Sequence, residues 1–156
     1  MDSIDRNILV ALQHDGAAGL AELAKVAGLS VSATAERVKR LEERGTIRGW
    51  RADLDPAAVG CPLLAWVFVA LRAGAQEPKF REAVLPLEQV LECHAITGPW
   101  SYLLKLRAPG LKELEAFVAQ EIRRRAGVER TETVIALMTA KETAMLPVAA
   151  ADDDEE

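Results

Sequence analysis

The chain has 156 residues, half of them hydrophobic and 28% charged, a composition typical of globular proteins and unlike that of disordered chains. It contains no apolar run as long as the ~18 residues of a membrane span, and its first residues lack the basic and apolar regions of a signal peptide. Two distant cysteines, Cys61 and Cys93, fit neither a zinc site nor a disulfide scaffold, so we expect buried, reduced thiols in a cytoplasmic protein.

The net charge of −5 is unfavourable for binding nucleic acid, but it is unevenly distributed. Residues 1–53 carry eight acidic and eight basic side chains and are neutral overall. The whole deficit equals the five acids of residues 152–156, which we expect to belong to a solvated, disordered tail over residues 148–156. The net charge therefore neither supports nor excludes a nucleic-acid partner, and the local distribution has to decide.

Residues 1–44 predict three helices, each with its own start and stop signals. The first follows the N-cap residue Asp2 and ends before Gly16. A short second helix over residues 20–26 is separated by a glycine-containing turn from a third helix over residues 31–44. The predicted buried face of the third helix consists of Val31, Ala35, Val38 and Leu41.

This order of helices is that of the helix-turn-helix, whose last helix enters the major groove of DNA. Serine, glutamate and arginine side chains on the exposed face of that helix have the chemistry to contact base edges and phosphates. Residues 46–51 alternate in polarity, which predicts a short strand or wing that continues the basic path. The predicted DNA-binding residues are Ser32, Glu36, Arg37, Lys39, Arg40, Arg44, Arg48 and Arg51. Helical periodicity alone leaves a plain three-helix bundle with a solvated charged face as the alternative.

Residues 54–62 contain Pro and Gly breakers and predict a linker. The second half of the chain then predicts, in order, a strand over 64–71, a helix from Pro78, strands over 90–97 and 102–106, a helix over 111–125 and a strand over 134–138. This βαββαβ order is the ferredoxin-like split unit, with helices on one face of an antiparallel sheet. The predicted fold class is therefore α+β, with a winged helix-turn-helix in residues 1–53 and a ferredoxin-like effector and oligomerisation domain in residues 63–147.

The first predicted strand of this domain is apolar on both of its faces, whereas the helices can cover only one face of the sheet. A large exposed apolar patch is unusual in a monomer, so a second copy of the chain is the economical cover for the other face.

Many short motifs in a fixed order resemble one known family. In the first half they are Ile4-Asp5-Arg6-Asn7-Ile8-Leu9, Glu22-Leu23-Ala24, Val26-Ala27-Gly28-Leu29-Ser30-Val31-Ser32, Arg37-Val38-Lys39-Arg40-Leu41-Glu42 and Gly45-Thr46-Ile47-Arg48-Gly49-Trp50. In the second half they are Cys93-His94-Ala95-Ile96-Thr97-Gly98, Tyr102-Leu103-Leu104-Lys105, Gly127-Val128 and Arg130-Thr131-Glu132-Thr133. Nearly the whole chain except the acidic tail resembles the Lrp/AsnC (feast/famine) family of bacterial and archaeal transcriptional regulators.

The resemblance implies a regulator of transcription that binds double-stranded DNA and is not an enzyme. It implies dimers formed by back-to-back packing of the α/β-domain sheets, assembling into octamers or larger discs around which DNA bends. A two-fold dimer would present two recognition helices to a pseudo-palindromic site. Similar proteins bind an amino acid between dimers, near the hairpin after His94. The effector-binding residues that this implies are Gly98, Pro99, Trp100, Ser101 and Tyr102.

The sequence departs from the family pattern in this loop. Similar proteins carry an acidic residue directly after the glycine and another just before the tyrosine, where this chain has Pro99 and Ser101. A carboxylate there suits a ligand's ammonium group, and an ammonium without a counter-charge is costly in a partly buried site. We therefore expect the protein to bind either no ordinary amino acid or a less cationic small-molecule effector that stacks on Trp100. The alternative is that Trp100 packs a contact between dimers.

No catalytic residue, metal site, cofactor or membrane partner is predicted. His94 stands alone on its strand, and we expect it to have a structural role. Sirohaem decarboxylases share this architecture without binding DNA, but the intact run Arg37-Val38-Lys39-Arg40 favours a DNA reader. A nucleoid-type architectural DNA binder with weak sequence preference is the remaining alternative.

Overall fold

The computed structural model describes residues 1–148, which form two compact units. The first consists of residues 1–53 and 141–148, and the second of residues 54–140. Residues 141–147, which the sequence assigned to the effector domain, therefore lie with the helix-turn-helix. The acidic run over residues 152–156 lies outside the described residues. Among the described residues, none of the helices has the length and hydropathy to cross a membrane.

The first unit contains three helices, α1 (Ser3–His14), α2 (Leu20–Ala27) and α3 (Val31–Glu43). The side chain of Asp2 caps α1 by accepting a hydrogen bond from the Asp5 N–H at 2.8 Å. Gly28, with φ of 66°, makes the left-handed turn between α2 and α3, a conformation that costs glycine nothing. The helices enclose one core, made of Ile8, Leu12, Leu23, Ala27 and Leu41.

The predicted buried face of α3 was wrong at its first turn. Val31 is 49% exposed, whereas Thr34 is completely buried. The Thr34 hydroxyl donates a hydrogen bond to the Ser30 carbonyl at 3.0 Å, so the buried polar group keeps a partner. A threonine bonded in this way occupies a core position that hydrophobicity alone assigns to valine.

The strand or wing predicted over residues 46–51 does not form within the described part of the chain. The Ile47 N–H donates to the Leu41 carbonyl at 3.1 Å, and the Ile47 side chain packs against the core of the first unit. The indole N–H of Trp50 donates to Glu42 at 3.0 Å. The alternating pattern thus arises from two separate contacts, those of Ile47 and Trp50, and not from a strand. A strand also needs a hydrogen-bonded neighbouring strand, which this segment lacks among residues 1–148.

The second unit contains a four-stranded antiparallel sheet with two helices. Its elements are β1 (Leu63–Leu71), α4 (Glu77–Val84), β2 (Val90–Ala95), β3 (Tyr102–Ala108), α5 (Leu111–Phe117), which continues as a π-helical turn over Val118–Ile122, and β4 (Val128–Ile135). The strand order is β2-β3-β1-β4, with every neighbouring pair antiparallel. The predicted βαββαβ arrangement is confirmed.

The last strand begins at Val128, six residues before its predicted start at residue 134. Its residues from Val128 to Ile135 pair with β1, whereas Leu137 and Met138, which the sequence placed in the strand, are 100% and 79% exposed. β4 is an edge strand, and its charged residues alternate with threonines from Arg130 to Thr133. Such a strand contains no apolar run from which it could be predicted. The strand was therefore predicted in the hydrophobic stretch that follows, over residues 134–138.

The two faces of the sheet differ in coverage. Ala65, Val67 and Val69 of β1 are 0% exposed and share one core with residues of α4, α5 and the π-helical turn. The opposite face, here called the open sheet face, carries the half-buried Trp66, Phe68 and Leu103 and the more exposed Val134. No helix of the second unit packs on it, because both helices belong to the core on the other face.

Candidate DNA interface and effector loop

The start of α3 is fixed by Ser30. Its hydroxyl accepts a hydrogen bond from the Ala33 N–H at 3.2 Å and lies 3.2 Å from the hydroxyl of Ser32. Ser32 is therefore exposed at the first turn, where residues of a recognition helix contact base edges. Glu36 follows one turn later, also exposed.

Arg37, predicted to contact DNA, is held inside the first unit by two carboxylates. Its Nη1 lies 2.7 Å from an oxygen of Asp2 and 2.7 Å from an oxygen of Asp5, and the Asp5 side chain is only 15% exposed. The hydrogen bonds to Asp5 and Asp2 raise the pKa of Arg37 above its usual range. The Asp5 backbone N–H, followed by Arg37, lowers the pKa of Asp2. Arg37 thus ties α3 to the start of α1, a contact that no local spacing in the sequence indicates.

The other charged side chains of α3 make only exposed ion pairs. Arg40 lies 3.5 Å from Glu36 and Lys39 lies 3.8 Å from Glu43, in both cases four residues apart on the helix. All four side chains are more than half exposed, and exposed pairs of this kind contribute little to stability. Lys39 and Arg40 can therefore exchange these partners for phosphate oxygens at little cost.

Three further arginines follow α3, and we call Arg44, Arg48 and Arg51 the arginine stretch. All three are exposed. Within residues 1–148 their guanidinium groups form no hydrogen bond or ion pair with another side chain. Together with Lys39 and Arg40 they provide a series of cations that begins on the recognition helix and continues beyond its end.

The predicted effector loop joins β2 to β3 and is attached to the end of β1. Gly98 has φ of 101°, which explains a glycine at this turn. The Ser101 N–H donates to the Val69 carbonyl at 2.8 Å, and the Ser101 hydroxyl accepts from the Leu71 N–H at 3.0 Å. Ser101, one of the two positions at which the resemblance implies an acidic residue, thus holds the loop in place.

Trp100 lies between an aromatic ring and a cation. Its ring centroid is 5.7 Å from that of Phe68, and the guanidinium carbon of Arg130 lies 4.2 Å from the indole centroid. Arg130 also approaches the carbonyl of Pro99, with a nitrogen–oxygen distance of 3.5 Å. This cation–π contact gives the loop a positive group that the sequence did not reveal, because Arg130 belongs to the strand that was placed too late.

Tyr102 is directed away from Trp100. It is 1% exposed and packs on Phe80 at a centroid distance of 5.0 Å. Its hydroxyl donates to Glu77 and accepts from Arg81, each at 3.0 Å. Burial raises the pKa of Tyr102, so the phenol stays protonated. These contacts make Tyr102 a link between the sheet and α4.

His94 lies in an exposed charged network on the strands β2 and β3. Its Nε2 is 3.1 Å from one oxygen of Glu92, and Lys105 approaches the other oxygen at 3.2 Å. The hydrogen bond to His94 is the main cause of the lowered pKa of Glu92. The neighbouring Cys93 faces the core, and burial raises the pKa of its thiol, which disfavours the reactive thiolate.

Known proteins resemble the chain along nearly its whole length. Residues 1–42 match the AsnC-type helix-turn-helix domain and residues 64–146 match the Lrp/AsnC ligand binding domain. The leucine-responsive regulatory proteins of Klebsiella pneumoniae and Escherichia coli K12 are each 38% identical over 150 residues, covering 95% of this chain and 92% of theirs.

Two solved structures share the fold. A transcriptional regulator of Neisseria meningitidis, crystallised as its L-Met complex, has a TM-score of 0.89 at 32% identity, covering 94% of this chain and 96% of that one. The feast or famine regulatory protein of Mycobacterium tuberculosis, complexed with L-methionine, has a TM-score of 0.86 at 39% identity and covers 93% of this chain and 97% of its own.

The two domains therefore define a DNA-binding transcriptional regulator, with a helix-turn-helix followed by an α+β ligand-binding domain. The chain belongs to the Lrp/AsnC family.

The ion cluster of Arg37 predicts a pH-dependent stability of the first unit. Because the folded-state pKa of Asp2 is lowered, its contribution is present above the unfolded pKa of an aspartate and is lost as the pH falls through the lower folded value. Asp2→Asn should therefore lower the urea midpoint at pH 7, with a much smaller difference from the unmodified chain near pH 3. The matched control is Asp53→Asn, at an exposed position. An equal effect of both variants at pH 7 would contradict a stabilising role of the Asp2 carboxylate in the ion cluster.

Proposed function

We propose that the protein is a sequence-specific regulator that reads double-stranded DNA with α3 and grips the backbone with the arginine stretch. The observation that carries this proposal is the excess of exposed cations between residues 39 and 51, where five basic side chains stand against the two acids Glu42 and Glu43. Phosphate contacts supply most of the affinity, and contacts to base edges supply the specificity. In this arrangement Ser32 and Glu36 contact bases, Lys39 and Arg40 contact bases or phosphates, and Arg37 positions the helix.

Removing one arginine of the arginine stretch should lower the affinity for DNA and should also make that affinity less dependent on the salt concentration. Arg44→Ala is expected to lower the affinity for the protein's own upstream DNA, and the slope of log K against log salt should fall by about 1 because one fewer counterion is released. The measurement is fluorescence anisotropy over a salt series. Lys79→Ala, an exposed cation on α4, is the control of equal charge. An unchanged slope for Arg44→Ala would exclude this arginine from the interface.

We also propose that a second copy of the chain covers the open sheet face. Trp66, Phe68 and Leu103 form its apolar centre, and a contiguous exposed apolar patch on a protein surface marks an interaction site. Back-to-back packing of two such faces gives a two-fold dimer with two copies of α3, one for each half of a pseudo-palindromic site. Larger assemblies of dimers, up to octamers or beyond, belong to the same proposal.

A charge placed at the centre of the open sheet face should separate the protomers. Phe68→Glu is expected to shift the sedimentation coefficient towards that of the monomer, because an unpaired carboxylate would be buried in the interface. Leu111→Glu, at a position that is 62% exposed on α5, is the control. A Phe68→Glu protein that sediments like the unmodified chain would overturn the proposed interface.

The effector is proposed to lack the ammonium group of a free amino acid. The two relatives crystallised with methionine show that the family fold accommodates an amino acid. In this chain Pro99 and Ser101 offer no carboxylate, and Arg130 over Trp100 contributes a positive charge. The nearby acid Glu132 is paired with Phe68 across the sheet, outside the loop. These groups favour an apolar or anionic ligand that stacks on Trp100.

Free amino acids should therefore leave the melting temperature unchanged. Thermal denaturation with millimolar L-leucine, L-methionine or L-phenylalanine is expected to match the ligand-free protein, whereas ligand binding would stabilise it by mass action. A Pro99→Asp, Ser101→Asp double variant, which restores both acids, should gain a shift with at least one of them. Clear stabilisation of the unmodified chain by a common amino acid would refute the proposed ligand class.

A further inference from the structure

Beside the loop between β2 and β3 lies a cation whose hydrogen-bond donors are mostly unused. The guanidinium carbon of Arg130 is 4.2 Å from the indole centroid of Trp100, within the range of a cation–π contact. A guanidinium carries several N–H donors, and one of them approaches the Pro99 carbonyl at 3.5 Å, which is long for a hydrogen bond. Arg130 makes no other hydrogen bond and no ion pair within residues 1–148. Most of its donors are therefore available to a ligand.

The cation and the indole are both positioned by the end of β1. Arg130 lies opposite Ala70 in the pairing of β4 with β1. Ser101, the residue after Trp100, donates from its backbone N–H to the Val69 carbonyl at 2.8 Å. Because consecutive residues of one strand hold both groups, they need little reorganisation to receive a ligand, and preorganised groups bind more tightly than mobile ones.

The surroundings of this guanidinium are apolar on one side and leave its charge unneutralised. The ring centroids of Phe68 and Trp100 are 5.7 Å apart, and both side chains are half-buried. Residues 96–102 contain no acidic side chain. Glu132, two residues after Arg130 on the same side of β4, forms no ion pair with it. The site therefore suits a ligand that combines a negative charge with an apolar body, and the loop offers no carboxylate to an ammonium group.

We propose that Arg130 binds the carboxylate of an apolar monocarboxylate without an amine, whose apolar body lies against Trp100 and Phe68. This rests on the proposed effector class of the loop and names the group that Arg130 recognises within it. A guanidinium stacked on an aromatic ring keeps its N–H edge free, and that edge matches the two oxygens of a carboxylate. Phosphate fits the charge but would lose hydration beside the two rings without gaining apolar contact. The 2-oxo acids, which form when amino acids lose their amine, belong to the proposed class.

Isothermal titration calorimetry with 4-methyl-2-oxopentanoate and 3-phenylpropanoate tests this site. We expect saturable binding of at least one of these acids, and no binding of L-leucine, L-phenylalanine, the uncharged 3-phenylpropanamide or inorganic phosphate at the same concentrations. Arg130→Gln should raise Kd by about tenfold or more, because it removes charge-assisted hydrogen bonds. Arg130→Lys keeps the charge but lacks the fork of donors, so its Kd should lie between the two. Arg124→Gln, at another exposed arginine of the second unit, is the matched control and should bind like the unmodified chain.

The outcomes separate the carboxylate site from the rest of the proposed function. If neither acid binds, or if Arg130→Gln binds them with an unchanged Kd, the site at Arg130 is wrong, while the proposed exclusion of free amino acids stands. Phosphate binding as tight as that of the acids would overturn the apolar carboxylate as the ligand. If L-leucine or L-phenylalanine binds as tightly as the acids, the proposed effector class fails together with this inference. The affinity of Arg130→Gln for DNA without ligand should equal that of the unmodified chain, so DNA binding is tested independently.

Discussion

A four-stranded sheet has two faces, and the second unit supplies helices for only one of them. Val67 and Val69 are sealed under α4 and α5, while Trp66 and Phe68, the alternate residues of the same strand, remain partly exposed. The rest of the proposed mechanism depends on this imbalance. In the proposed dimer, a second copy that covers the open sheet face would double the recognition helix and set the symmetry of the DNA site. The loop carrying Trp100 lies against Phe68 and so borders the same face.

In the DNA-binding unit, the position of α3 depends on the contact between Arg37 and the carboxylates of Asp2 and Asp5. The capping of α1 and the attachment of α3 share one carboxylate, since Asp2 accepts from the Asp5 N–H and from Arg37. An arginine in the middle of a recognition helix can thus serve the geometry of the helix, leaving its neighbours to meet DNA. The cations that we propose for DNA contact are those whose pairs are exposed or absent among the described residues, and they lie mainly at and beyond the end of the helix.

Much of the fold was predictable because local signals coincide with the elements. The caps of α1 and α3, the glycine between α2 and α3, and the apolar β1 each determine their element within a few residues of sequence. Two features depend on contacts that are distant in the sequence: β4 is defined by its pairing with β1, and Arg37 is positioned by carboxylates 32 and 35 residues away. The burial of Thr34 depends instead on a local hydrogen bond to the Ser30 carbonyl, which lets a polar side chain occupy a core position.

The candidate site likewise combines features that are visible in the sequence with features that depend on the folded structure. The exposed cations of the helix-turn-helix and the missing acids at Pro99 and Ser101 can be read directly from the sequence. The cation over Trp100 cannot, because it depends on the register of β4. Likewise, Ser101 is a candidate ligand contact in the sequence, but in the folded loop it is a backbone anchor to Leu71.

The pairing of Gln13 with Leu146 joins positions 133 residues apart, and this makes the ligand-binding unit an insertion within the helix-turn-helix unit. Contacts between such distant positions form late, because a long loop must close before they contribute. During synthesis, the three helices can assemble early, but Leu146, which bonds to Gln13, is made only after the second unit. The chain therefore completes the contacts of its helix-turn-helix unit only after the domain that matches the ligand-binding family has been made.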